Sequence, residues 1–160
     1  MRLLKLLLIL LICTAAMSPT WAQAAFDDAR AARNKGDYAT ALRLWRPLAD
    51  QGHADAQNYL GLMYLDGEGV PEDYAAAVSW FRKAAEQGHA IAQTNLGDMY
   101  ATGRGVAQAY VQAHMWFNLA AAQGDADAIK YRKAAAAKMT PAQIAEAQRL
   151  AREWKPKPVR

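Results

Sequence analysis

Residues 54–89 read ADAQNYLGLMYLDGEGVPEDYAAAVSWFRKAAEQGH, and residues 90–125 read AIAQTNLGDMYATGRGVAQAYVQAHMWFNLAAAQGD. Superposed at a shift of 36 residues, the two stretches are identical at 18 positions. Among them are Ala56/Ala92, Gln57/Gln93, Leu60/Leu96, Gly61/Gly97, Met63/Met99, Gly67/Gly103, Trp80/Trp116, Phe81/Phe117, Gln87/Gln123 and Gly88/Gly124. The register also runs backwards, setting Tyr38, Ala41, Trp45, Gln51 and Gly52 under Tyr74, Ala77, Phe81, Gln87 and Gly88. A fixed period of this length is the mark of a stacked-repeat architecture.

Each unit reads as two helices. In the first, Ala56, Leu60, Met63 and Tyr64 fall on one stripe at helical spacing. Gly67 and Gly69 end it, because the reversal needs residues that tolerate positive φ. The second begins near Asp73–Tyr74, buries Ala77, Trp80, Phe81, Ala84 and Ala85, and stops at Gly88. Gly61 and Gly97 lie inside the first helices, where glycine costs about 1 kcal/mol relative to alanine. Their recurrence implies a close approach there, expected to be the backbone of another helix.

One such pair cannot cover both apolar stripes alone, so the units must stack into a quasi-one-dimensional array with caps at its ends. The expected organisation is a partial repeat over 25–53, full repeats over 54–89 and 90–125, capping helices over 126–154 and a flexible tail over 155–160. At the front, a short helix from Phe26 to Lys35 precedes the tight turn at Gly36–Asp37. Pro47, inside the next helix, should kink it or loosen a turn. At the back, Ala126 to Lys138 opens a further unit. Thr140-Pro141-Ala142-Gln143 then has the form of a helix start, with Thr as N-cap and Gln three residues later. The helix that follows should turn Ile144, Ala147 and Leu150 inward, and Lys155-Pro156-Lys157-Pro158 should leave it as a loose tail.

The pattern Ala-x-x-x-Leu-Gly-x-x-Tyr-x-x-Gly-x-Gly-Val, then Tyr-x-x-Ala-x-x-Trp and Ala-Ala-x-Gln-Gly, closely resembles the Sel1-like repeat family. It covers nearly all of residues 25 to 154. The resemblance implies an all-α fold, an α/α solenoid wound as a right-handed superhelix and related to tetratricopeptide repeats. It also implies adaptor or scaffold work for other proteins, often in the bacterial envelope.

The first 24 residues have the form of an export signal. Arg2 and Lys5 precede an apolar run from Leu6 to Ala16, and Ala22-Gln23-Ala24 offers small residues for cleavage before Ala25. The run is shorter than the roughly 20 residues that span a bilayer. Cys13 follows Ile12, which is not the small residue that a lipid-attachment site resembles. With cleavage the chain loses its one cysteine, so no disulfide can staple it. A periplasmic or secreted location follows as the expectation.

Charge is divided unevenly. Residues 25–129 hold 8 Lys and Arg against 13 Asp and Glu, and residues 130–160 hold 9 against 2. A basic end on an acidic body could make weak contact with an anionic surface, or be simply a solvated face. Nucleic acid is not an expected partner of an exported chain.

Chemistry-bearing residues were weighed against their copies in the next repeat. Asp66, Glu68, Glu72 and Asp73 surround the turn like oxygen ligands for calcium, but Thr102, Arg104, Gln108 and Ala109 replace them one unit on. His53 and His89 recur without a third ligand at zinc spacing, so they read as capping or solvated residues. Ser79 is the only serine after residue 24. It lacks the Lys of a Ser-x-x-Lys nucleophile, although some relatives of this family are linked to β-lactams. No catalytic, cofactor-binding or metal residue is therefore expected.

What differs between the copies lies on the first helices away from the core stripe: Asn58 and Leu62, then Thr94 and Asp98. Two readings stay open for these positions, a concave surface selected for a protein partner or positions free to drift. The expected function is an exported interaction adaptor or scaffold. The alternative is a protein that binds or processes peptidoglycan or β-lactams.

Overall fold

The computed structural model describes residues 19–158, which form eight α-helices and no strands. They are α1 (Pro19–Asn34), α2 (Tyr38–Asp50), α3 (Ala54–Asp66), α4 (Tyr74–Glu86), α5 (Ala90–Thr102), α6 (Tyr110–Ala122), α7 (Ala126–Ala136) and α8 (Pro141–Glu153). Each helix from α1 to α6 packs on the next. The result is the all-α solenoid that the period requires.

The helix starts are set by side chains that satisfy the orphan N–H groups of the first turn. Asp37, Asp73 and Asp125 accept from the backbone N–H three residues on, at 3.1, 2.9 and 2.8 Å. His53 and His89 do the same through Nδ1, from Ala56 at 3.3 Å and Ala92 at 3.1 Å. The recurring histidines are caps. Thr140 and Gln143 close a reciprocal capping box at α8. At the other ends of α3 and α5, Gly67 and Gly103 take φ of +68° and +73° and donate to the carbonyls of Met63 and Met99.

The core follows the stripes read from the sequence. Ala56, Leu60, Met63, Ala77, Phe81, Ala84 and Ala85 are all fully buried, as are Ala92, Leu96 and Ala113. Burying this apolar area is the main term that stabilises the stack. Helices α3 and α4 close on each other because Gly61 has no side chain. A Cβ there would stand 2.5 Å from the ring of Phe81, and one at Gly97 would stand 2.6 Å from Phe117. What presses on these glycines is therefore an aromatic ring, and not the helix backbone expected. The close backbone approach occurs in the turns, where Gly69 and Gly105 lie on Tyr38 and Tyr74 of the preceding unit.

Other details add to these expectations or differ from them. Helix α1 begins at Pro19, seven residues before Phe26, and Ala25 and Phe26 are buried within it. The apolar run over 6–16 lies outside the described residues. Helix α2 continues through Pro47; Pro47 is exposed, so the carbonyl it leaves unpaired can face water. Helix α8 does not form a hairpin with α7 but folds back onto α6. Ala147 and Ala151 are buried there, while Ile144 and Leu150 are half-buried.

The tail is not loose over residues 155–158. The N–H of Lys157 donates to the carbonyl of Glu86 at 2.8 Å, and Trp154 packs edge-on to Trp116 with ring centroids 6.2 Å apart. Proline stops the helix but does not prevent an extended segment from docking, and an orphan carbonyl at the end of α4 supplies its partner.

Candidate protein-binding face

On the first helices of the units, the exposed positions recur at i, i+4, i+7 and i+11. In α3 they are Asp55, Tyr59, Leu62 and Asp66; in α5 they are Ile91, Asn95, Asp98 and Thr102; in α7 they are Asp127, Tyr131 and Ala134, with Lys138 in the turn just past its end. All are exposed or half-buried. The spacing puts each set on one side of its helix. Three short stripes therefore stand side by side across the array.

Of the four residues picked out from the sequence, two lie on these stripes and two lie just beneath them. Leu62 is half-buried and packs at the edge of the second core cluster. Asp98 is half-exposed and paired with Arg104 at 2.6 Å. Asn58 is only 4% exposed and Thr94 only 6%. Oδ1 of Asn58 accepts from Nδ2 of Asn95 at 3.0 Å, joining α3 to α5. The hydroxyl of Thr94 donates to the Ala90 carbonyl in its own helix at 3.3 Å. Asn58 and Thr94 thus have little surface to offer a partner.

Tyr59, Ile91, Asn95 and Tyr131 were missed by the sequence reading. The signal that could have found them is the period of the differences. Every stripe position changes between the copies, Asp55/Ile91, Tyr59/Asn95, Leu62/Asp98 and Asp66/Thr102, and together they follow a helical repeat. Ile91 and Tyr131 are among the most exposed large apolar side chains, at 55% and 37%. Beside Tyr131, between α5, α6 and α7, lies a depression of about 160 Å³, lined by Asp98, Thr102, Phe117, Tyr131 and Lys138 among others. It combines an aromatic floor with a carboxylate and an ammonium, a combination suited to holding one side chain of a peptide.

The remaining candidates are committed to the scaffold. Arg33 binds Glu68 at 2.6 Å and approaches Asp66 at 3.8 Å; the Glu68 hydrogen bond is the main reason the guanidinium holds its proton more tightly than usual. Asp73 is an N-cap. His89 offers Nδ1 to the backbone, so Nε2 carries the proton, and it lies 2.9 Å from Oδ1 of Asp55. Ser79 is exposed on α4. No group of three or more His, Cys, Asp or Glu among the described residues could hold a metal ion.

A buried ladder fixes the spacing between units. Gln57 donates to the Ala49 carbonyl at 3.0 Å and accepts from Gln87 at 2.7 Å. One repeat on, Gln93 donates to Ala85 at 3.2 Å and accepts from Gln123 at 2.9 Å. Ile129 stands where a third such glutamine would be, so the ladder ends at α7. His114 is a buried exception. It takes the place of Val78, its Nδ1 has no partner, and burial, helped by the charge of Arg132, lowers its pKa.

The Sel1 repeat family model matches residues 33–53, 54–89 and 90–125. Among solved structures, a protective antigen present in uropathogenic Escherichia coli strains and displaying an SLR fold is similar, with 33% identity and a TM-score of 0.80. The alignment covers 83% of this chain and 29% of the antigen, so the chain spans under a third of that protein's length. A Sel1 repeat protein from Oxalobacter formigenes is also similar, with 38% identity, a TM-score of 0.64 and coverage of 70% of this chain and 87% of that one. No curated protein matches the sequence.

Proposed function

Because the chain belongs to the Sel1 repeat family, we propose that it is an exported adaptor that holds an extended segment of another protein along the stripes of its first helices. Repeats of this family commonly serve protein–protein interaction. The observation that carries the reading is the stripe itself: equivalent positions on one scaffold, all four of which change between α3 and α5, with an aromatic depression at Tyr131. The apolar core stripe of the first helices, Ala56/Ala92, Leu60/Leu96 and Met63/Met99, is held constant between the two copies while the outward positions vary, which is what a solenoid needs to present a specific surface.

Leu62, Ile91, Asn95, Asp98 and Tyr131 form the face in this reading, and Asn58 and Thr94 position it from beneath. Export rests on the signal-like first 24 residues, with cleavage before Ala25. A relative described as a protective antigen is in keeping with that location. No helix among the described residues is long and apolar enough to cross a membrane. Cleavage would leave α1 to run from Ala25, retaining the buried Phe26, Ala29 and Ala32.

Replacing Leu62, Ile91 and Asp98 together by lysine tests the face. Capture of the partner should be lost with helical content unchanged, and retained capture would place the binding surface elsewhere.

A further inference from the structure

Successive second helices leave equivalent clefts between them, and the chain fills one with its own tail. Trp154 and Pro156 lie over Gly88, each with a ring carbon 3.9 Å from where a Cβ would stand. Trp154 meets Trp116 of α6. Lys157 then binds Glu86 twice, through its N–H to the carbonyl at 2.8 Å and through its ammonium to the carboxylate at 2.9 Å. Residues 154–157 are thus a peptide ligand held in cis between α4 and α6.

One repeat earlier, between α2 and α4, the corresponding cleft keeps open space among the described residues. It has a volume of about 580 Å³, and Asp50, Gly52, Gln57, Lys83 and Gln87 are among its walls. Glu86 and the tail residues Lys157 and Pro158 line its other side. Two of its walls are the 36-residue counterparts of residues around the tail, Gly52 for Gly88 and Asp50 for Glu86, and Trp80, the counterpart of Trp116, lies beneath Lys83. Asp50 ends α2 as Glu86 ends α4, so it brings a carboxylate and a terminal helix carbonyl to the same place.

One wall differs in kind. Lys83 replaces Leu119, and its ammonium lies 3.9 Å from the centroid of the Trp80 ring. The seat that Trp154 takes in the filled cleft is therefore covered by a cation here. An aromatic group would have to displace Lys83, whereas a carboxylate would pair with it.

We infer that the α2–α4 cleft binds an extended proline-containing segment of a partner protein, in the register of Trp154–Lys157. Its proline lies over Gly52, a basic side chain binds Asp50, and an acidic side chain takes the place of Trp154 beside Lys83. Proline holds the segment extended before binding, which lowers the ordering cost. This site is separate from the stripes of the first helices.

The test is titration of the full-length protein with the blocked peptide Glu-Lys-Pro-Lys-Pro, followed by amide NMR shifts. Saturable shifts at Gly52 and Gln87 are expected. Asp50→Arg should weaken binding by about tenfold or more, the usual cost of losing a charge-assisted contact. Asp50→Asn, which keeps the carbonyl, should weaken it less. Lys83→Leu should reverse the preference towards Trp-Lys-Pro-Lys-Pro, and lysine at Leu62 and Asp98 should leave the affinity unchanged. Absent shifts at millimolar peptide, or binding indifferent to Asp50→Arg in a variant of full helical content, would overturn the inference.

Discussion

Nε2 of Gln87 donates to Oε1 of Gln57 across 2.7 Å, and thirty-six residues later Gln123 repeats the bond to Gln93 at 2.9 Å. Each buried glutamine therefore ties the end of its own unit's second helix to the carbonyl that ends the previous one. Only a side chain with both an amide donor and a carbonyl acceptor can do both.

Gln93→Leu keeps most of the volume but removes two hydrogen bonds of a buried side chain, leaving the Ala85 carbonyl with the Gly88 N–H and the Gln123 amide with the Leu119 carbonyl. Unfolding by urea should show a loss of about 1–3 kcal/mol, the penalty for unmade buried hydrogen bonds. Gln123→Ala, at an exposed partner, should cost less.

Gly97→Ala removes a helix-breaking residue yet should destabilise the protein. The helix gains about 1 kcal/mol in propensity, but the new methyl lies 2.6 Å from Phe117, and overpacking costs about 1–3 kcal/mol. Combining it with Phe117→Leu should cost less than the sum of the two single changes, a non-additivity expected of residues in contact. A double-mutant cycle by thermal or urea unfolding measures this.

His114 should make stability fall in mild acid. Its folded pKa lies below the ordinary histidine value, first because of burial and then because of Arg132. The unfolded chain therefore binds more protons, and stability rises with pH through the window that ends near the unfolded value of about 6.5. The contribution is complete above that pH and is lost as pH falls through the window. His114→Val, which restores the residue found at Val78, should flatten the dependence between about pH 5 and 7. Urea midpoints for both proteins across that range check it.

The ordered tail predicts a protected amide at Lys157. Hydrogen exchange should show it slower than Lys155, for which no backbone partner is seen. Trp154→Ala should erase the difference and destabilise the fold by about 2–4 kcal/mol, as expected for truncating a packed tryptophan.

The repeat made most of the scaffold legible from residues alone. Stripes such as Ala56–Leu60–Met63 and stops such as Gly67 depend on local spacing, which a second copy exposes directly. What escaped depends on tertiary choice. The path of α8 is one case, because its sequence defines where the helix begins but not whether α6 or α7 receives it. Gly61 is another: its recurrence showed a close approach, and only the packed structure showed that the ring of Phe81 makes it. On the candidate face, difference between copies picked out two partly exposed positions, Leu62 and Asp98, and two buried ones, Asn58 and Thr94. Asn58 meets Asn95 of the neighbouring unit, whereas Thr94 bonds within its own helix.

The central claim is that the first-helix stripes are where the partner sits. Photo-crosslinking groups placed singly at Leu62, Asp98 and Tyr131, and at Ser79 on the exposed side of α4, test it in the living cell. The account predicts one and the same crosslinked protein from the first three sites and none from Ser79. Equal crosslinking from Ser79, or none from the stripes with the protein folded and exported, would contradict it.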